Sequence, residues 1–233
     1  VPASTPLNPA AVPPDPYRFH TALAQRGGIV WNTGHKAWMV GKYDHVKTLL
    51  NHPDASVEKV APFVAHMAGP LREKLEVMLG IMQHWVVLAD PPRHARLRKI
   101  LQRGFMPRGI LQLEARIRAT AVELLDALDG RHEIDFMADF AYQLPAIVIS
   151  DMFGRPRSDV PRIKEWSDGI SKFVLGSPDN KDKYETTFEH MSEMHAYFAR
   201  VVDDCDPASG DSLLHKLVAS QAEPEGLTRD EVI

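Results

Sequence analysis

Through the second half of the chain, apolar residues recur at helical intervals. Between 107 and 129, Ile110, Leu113, Ile117, Ala121, Leu124 and Leu128 stand at three- and four-residue intervals, which predicts an amphipathic helix ending at Gly130. The same spacing predicts helices over 158–173, 181–203 and 211–220. The segment 135–153 is more continuously apolar and reads as a buried helix, disturbed by Pro145 and closed by Gly154. Just before these, Asp90 offers an N-cap and Pro91 a first-turn residue for a helix running to about Arg103.

The first third is more mixed. Pro16 opens a short helix over 15–25 that stops at Gly27-Gly28. Ile29-Val30-Trp31 and Ala37-Trp38-Met39-Val40, on either side of Asn32-Thr33-Gly34, predict a small hairpin, and 43–51 returns to helical spacing. The stretch 53–89 reads as a long irregular segment holding one helix over 70–83, and a loop region of that length in a compact domain is usually functional. The expected fold class is therefore mainly α with a small β element. No internal repeat is visible.

Both ends carry information. Six prolines in the first sixteen residues make 1–14 an extended, Pro-rich lead-in without chemistry, and leave 15–233 as one folded unit. At the other end Thr228 and Glu231 form a capping-box pair with acids in the first turn and an apolar pair behind them, which is how a helix starts. A helix that stops in its first turn cannot nucleate, so the sequence reads as cut short there.

Composition narrows the class without naming a function. At 233 residues, 44% hydrophobic and 25% charged, the chain can bury a sizeable core without a disulfide or metal, and disorder, collagen and coiled coil are excluded. A net charge of -4 gives no basic field for nucleic acid, and no apolar run approaches the roughly 18–20 residues a membrane span needs. The single Cys205 permits no disulfide within the chain and favours a reducing, cytoplasmic setting.

Few motifs carry chemistry. No Gly-rich phosphate loop, Gly-x-Ser-x-Gly elbow or His-Glu-x-x-His pattern occurs. His190 and His195 diverge on a helix and the acids at 203–211 lack the Gly and Glu positions of a calcium loop, so no metal ligand is expected. His84 and Trp85 read as aromatics packed before Asp90, although they could enter a pocket. His94 and Arg98 differ. Four apart on one helical face, they can hold two carboxylates or a phosphate between them, whereas Arg93, Arg96, Lys99 and Arg103 spread over other faces. Spacing alone identifies no ligand, and a solvated basic helix has the same pattern.

The segment Asp90-Pro91-Pro92, His94, Leu97-Arg98, with Gly104-Phe105 beyond, resembles the bacterial soluble cytochromes P-450, the haem-thiolate monooxygenases. The resemblance continues in 139–145, in Val148-Ile149 with Met152-Phe153-Gly154, and in Leu227-Thr228 with Glu231-Val232-Ile233. It implies the amino-terminal part of that fold, ending at the start of the long central I helix.

By this resemblance His94 and Arg98 hold the propionates of haem b, and Phe105 packs near the haem edge. The axial Cys lies outside this sequence, as do the oxygen-activating Thr and the Glu-x-x-Arg pair. Cys205, in an acidic turn, is not the iron ligand, and no catalytic residue is expected within the chain. The loop 53–89 corresponds to the roof of the substrate pocket and 173–176 to the connection between helices F and G. Phe63, Met82, Val86, Val87, Phe173 and Val174 are the candidate contacts to an apolar substrate. Arg93, Arg96, Lys99 and Arg103 are candidates for docking a ferredoxin or reductase flavin domain that brings electrons from NAD(P)H. The implied reaction of the complete chain inserts one oxygen atom of O2 into an apolar small molecule. The rivals are a non-catalytic helical small-molecule-binding protein of the same fold and a helical interaction module without haem.

Overall fold

The computed structural model describes residues 15–33, 37–58, 69–105, 107–175 and 182–233. The lead-in 1–14 and Phe63 lie outside them. Helix α1, Pro16–Gln25, has Pro16 at its start as expected, where no N–H is needed, and the Asp15 side chain caps it by accepting the Arg18 N–H at 3.0 Å. Its buried residues Phe19 and Leu23 pack on Val30 and Met39 of the antiparallel hairpin β1, Ile29–Asn32, and β2, Ala37–Val40. Trp31 and Trp38 sit opposite each other in that register, with ring centroids 5.3 Å apart. Helix α2 follows at Tyr43–Leu50.

The principal core lies where α3, Pro70–Met82, meets α7, Val160–Leu175, and α8, Asp182–Asp203. Leu75, Met78 and Met82 of α3 pack with Ile170, Tyr184 and Met191, and burial of each such aliphatic side chain contributes about 1.5–3 kcal/mol. The α7–α8 contact depends on Gly169, because a Cβ there would stand 1.9 Å from His190 Nδ1. Thr187 Oγ1 donates to the Gly169 carbonyl at 3.2 Å across the same contact. His190, expected to bind no metal, is thus packed against a backbone.

A second core gathers around α4, Arg93–Gly104. Leu97 and Ile100 pack with Ala89, with Leu213 and Leu217 of α9, Leu213–Ala219, and with Leu227 just before α10, Arg229–Val232. Between α4 and α7 run α5, Pro107–Asp126, a π-helical turn at Met137–Ala141, and α6, Gln143–Met152. Thr228 and Glu231 form the expected capping box, each side chain accepting the other residue's backbone N–H.

Two expectations are corrected. The segment 135–153 is neither one helix nor wholly buried. Pro145 has no N–H for the ladder, and the Tyr142 N–H donates to Met137 O rather than to the usual carbonyl. That offset starts a fresh helix with Pro145 in its first turn, where an N–H is dispensable. Phe136, Met137, Tyr142 and Ile149 are left about half exposed. Asp90 does not cap α4 through its side chain either. The helix begins at Arg93, and the Asp90 carboxylate accepts Ser56 Oγ at 2.5 Å and the Val57 N–H at 3.0 Å instead. These two bonds hold it below the usual carboxylate range and fasten 56–57 to the start of α4.

Candidate cofactor and substrate site

Helix α4 divides its charges between two sides of its buried stripe. Arg93 stands one turn before Leu97 on the stripe and Arg96 flanks it on one side; His94, Arg98 and Leu101 flank it on the other. The second group faces a cavity of about 330 Å³ lined by Val86, Val87, His94, Arg98, Leu101, Gln102 and Phe105. Arg98 is exposed and makes no hydrogen bond or ion pair among the described residues, and His94 is half-buried, close enough to Asp90 to feel its charge. Two cation-capable donors without protein acceptors, at the rim of an apolar recess, suit a flat apolar group that carries carboxylates.

A neighbouring cavity of about 340 Å³ shares Val86, Val87 and Leu101 with the first. Ile81, Trp85, Leu97, Leu227, Val232 and Ile233 complete its apolar wall, and His84, His195, Asp230 and Glu231 are its polar members. The 3-10 turn Val86–Leu88 thus separates the two spaces and lines both.

The structure sorts the expected residues. His94, Arg98 and Phe105 come together, with Phe105 48% exposed at the edge of their cavity. Val86 and Val87 line both cavities. Met82 is 5% exposed in the principal core and lines neither. Phe173 packs on that core, its ring centroid 5.8 Å from that of Tyr184, and also lines neither. The Val174 side chain lies outside the described residues.

Of the four basic residues expected on a partner-facing surface, three are engaged within the chain. Arg93 Nε donates to Glu231 Oε1 at 3.2 Å and its Nη1 to the Gln83 carbonyl at 2.5 Å. Arg96 Nη2 donates to the same Glu231 oxygen at 2.5 Å and its Nη1 to the Gly226 carbonyl at 2.7 Å. Arg103 pairs with Glu223 at 2.5 Å. Lys99 alone of the four is without such a partner among the described residues, and it is exposed.

Glu231 is the residue that sequence reasoning read too narrowly. Its capping role was legible, but its side chain is only 4% exposed and also takes two guanidinium groups from α4. Burial pushes its carboxyl up, yet the Thr228 N–H, Arg96 and Arg93 together outweigh that and hold it below the ordinary glutamate value. No local pattern reports a pairing across 135 residues. Ile81, Leu97, Leu101 and His195 were also unassigned, since an apolar residue facing a cavity has the same spacing as one facing a core.

Cys205 lies elsewhere, in a cavity of about 480 Å³ that shares no lining residue with the other two. Burial and the Asp206 carboxylate raise its thiol, against a smaller opposing effect of Arg155, so it stays protonated. Among the described residues no cluster of three or more His, Cys, Asp or Glu could hold a metal ion, and no helix is long and apolar enough to cross a membrane.

No family model matches the chain. Individual proteins do. The cytochrome P450 monooxygenase PikC of Streptomyces venezuelae is 31% identical over 227 residues, 94% of this chain and 50% of that protein. Cytochrome P450(MEG) of Priestia megaterium is 29% identical over 224 residues, 94% of this chain and 52% of the relative. Among solved structures, ligand-free cytochrome P450 TbtJ1 is 27% identical with a TM-score of 0.70, covering 93% of this chain and 52% of its own. P450BioI, in complex with a hexadec-9Z-enoic acid ligated acyl carrier protein, is 20% identical and shares the fold at a TM-score of 0.80, over 94% of this chain and 55% of its own. The chain spans about half the length of the curated relatives it matches. By sequence and by fold, this chain is similar to the bacterial cytochromes P450 over about half of their length, consistent with their amino-terminal portion.

Proposed function

We propose that the chain is the amino-terminal part of one haem domain, spanning 15–233, of a cytoplasmic monooxygenase that inserts an oxygen atom of O2 into an apolar small molecule. The observation that carries this reading is the pair His94 and Arg98, without protein acceptors among the described residues, at the rim of an apolar recess adjoining a second, mainly apolar cavity. Haem b would be held at its propionates by His94 and Arg98 and would supply the oxygen activation.

The chain's own residues have simpler tasks. Arg98 would offer its planar guanidinium fork and His94 an imidazole N–H to the propionates, so that the acidic edge of the group would meet donors as it leaves water. Phe105 covers the edge of the recess. Val86 and Val87, on the turn between the cavities, exclude water from the face where substrate approaches, and Ile81, Trp85, Leu97 and Leu101 give that substrate an apolar bed. Electrons come from NAD(P)H through a ferredoxin or reductase flavin domain. Lys99 is the one cation of α4's expected docking set left to steer that partner, because Arg93, Arg96 and Arg103 are committed within the chain.

The relatives support the chemistry at the level of class: PikC is named as a monooxygenase, and another relative, from Mycobacterium bovis, as a methyl-branched lipid omega-hydroxylase. The test is the carbon-monoxide difference spectrum of the reduced complete protein. A thiolate-type band is expected. A fold that binds haem without that band, or binds none, overturns the reading in favour of a non-catalytic binder.

A further inference from the structure

The cavity beside the His94 and Arg98 recess has a polar feature that an apolar substrate leaves unused. Of its four polar residues, two are spent. Glu231 accepts from Arg93, Arg96 and the Thr228 N–H, and Asp230 stands 3.5 Å from Arg229. The other two, His84 and His195, are half-buried, and neither side chain has a hydrogen bond or ion pair among the described residues. They come from different elements, His84 from the turn after α3 and His195 from the middle of α8, yet line one cavity. Their ring nitrogens have no protein partner among the described residues, so a ligand in the cavity that carries an acceptor oxygen can take hydrogen bonds from them.

The charge around the cavity selects the kind of ligand. Each carboxylate near it is already matched by a guanidinium: Glu231 by Arg93 and Arg96, Asp230 by Arg229, which also binds Asp203 through two bonds of 2.6 Å. A cationic head group would find no unpaired acid among the described residues that line the cavity. A carboxylate or carbonyl oxygen would find two imidazoles, each able to donate at one ring nitrogen while neutral and at both when protonated.

The geometry points to His84 and His195 as specificity-determining residues that clamp a hydrogen-bond-accepting oxygen group at one end of an otherwise apolar substrate. This deepens the monooxygenase reading and rests on it: the substrate class is an apolar body bearing a carboxylate or carbonyl. The clamp holds that end while Val86, Val87 and Leu101, shared with the recess of His94 and Arg98, contact the remainder.

The test is calorimetric titration of the complete haem-loaded protein with dodecanoic acid, methyl dodecanoate and dodecylamine, alongside the His84→Leu, His195→Leu and His195→Gln variants. The acid and the ester are expected to bind at least about tenfold more tightly than the amine, from one or two added hydrogen bonds. Each leucine variant should erase most of that preference, and His195→Gln, which keeps a donor, should restore part of it. Equal affinity for acid and amine in the parent, or a preference unchanged in both leucine variants, overturns the clamp. The reduced carbon-monoxide spectrum, recorded on the same samples, separates the two ideas. Equal affinity for acid and amine in a parent with an intact thiolate band rejects the clamp alone, whereas a missing band in the parent rejects the monooxygenase reading.

Discussion

Glu231→Ala is expected to destabilise the complete protein by about 3 kcal/mol, the lower end for removing one partner of a buried ion pair. The lower end applies because Arg93 and Arg96 keep 35% and 28% of their side-chain exposure, so water can partly replace the lost acid. The change also removes half of the capping box at Thr228 and frees α4 from α10 on the side opposite His94 and Arg98. One guanidinium nitrogen, Arg93 Nη2, is buried without a partner even with Glu231 in place, so this corner has little hydrogen-bonding reserve. Urea unfolding midpoints at neutral pH measure the loss.

Acid gives the same prediction a sign. The Glu231 carboxyl is held below its ordinary value of 4.5 in the folded protein, so its contribution is fully present above that value and is lost as pH falls through the folded pKa. The stability gap between parent and Glu231→Ala should therefore be constant near neutrality and close below about pH 4.5. Asp90, Asp139, Glu193 and Asp203 are lowered too, by hydrogen bonds from Ser56, Arg131, Trp166 and Arg229 respectively, and add to acid sensitivity in both proteins alike. A gap that widens in acid would mean that Glu231 is not held as an ion-paired carboxylate.

The second large effect concerns haem retention. A hydrogen bond to a charged group contributes about 1.5–3 kcal/mol, so His94→Ala and Arg98→Ala should each accelerate haem loss from the complete protein by roughly 10- to 100-fold. The double variant should lose more than either single one. Arg98→Lys keeps the charge but not the planar fork, and should fall between parent and Arg98→Ala. Transfer of haem to an excess of an acceptor globin reads these rates directly. Lys99→Ala, one residue along the same helix and exposed, provides the comparison: it should slow reduction by the redox partner and leave haem loss unaltered.

How much of this was legible in the sequence depended on how far each interaction reaches along the chain. Helix α1 with Pro16 at its start, the hairpin and the Thr228–Glu231 box are local devices, and local spacing reports them. Pro145 was visible as a disturbance. What it does was not visible, because a π-turn that absorbs the break at Met137–Ala141 depends on how the preceding turn is accommodated. Asp90 was misread for a similar reason: it is a sound N-cap by type, but Ser56 and Val57, 34 and 33 residues away, take its oxygens first.

At the candidate site, His94 and Arg98 could be paired because they lie one turn apart. Arg93 and Arg96 could be seen as basic, yet only the folded chain brings Glu231 to them and turns surface charges into an internal tie. Met82 and Phe173 show the complementary limit. Their apolar character suits a pocket or a core equally, and packing against Tyr184, Met191 and their neighbours placed them in the core.

The most direct test of the central claim is an experimental structure of the complete protein with haem bound. The prediction is that a ring nitrogen of His94 and the guanidinium of Arg98 lie within hydrogen-bonding distance of the propionate oxygens, with the porphyrin face against Val86, Val87, Leu101 and Phe105. Propionates held by other residues, with His94 and Arg98 turned to solvent, would contradict it.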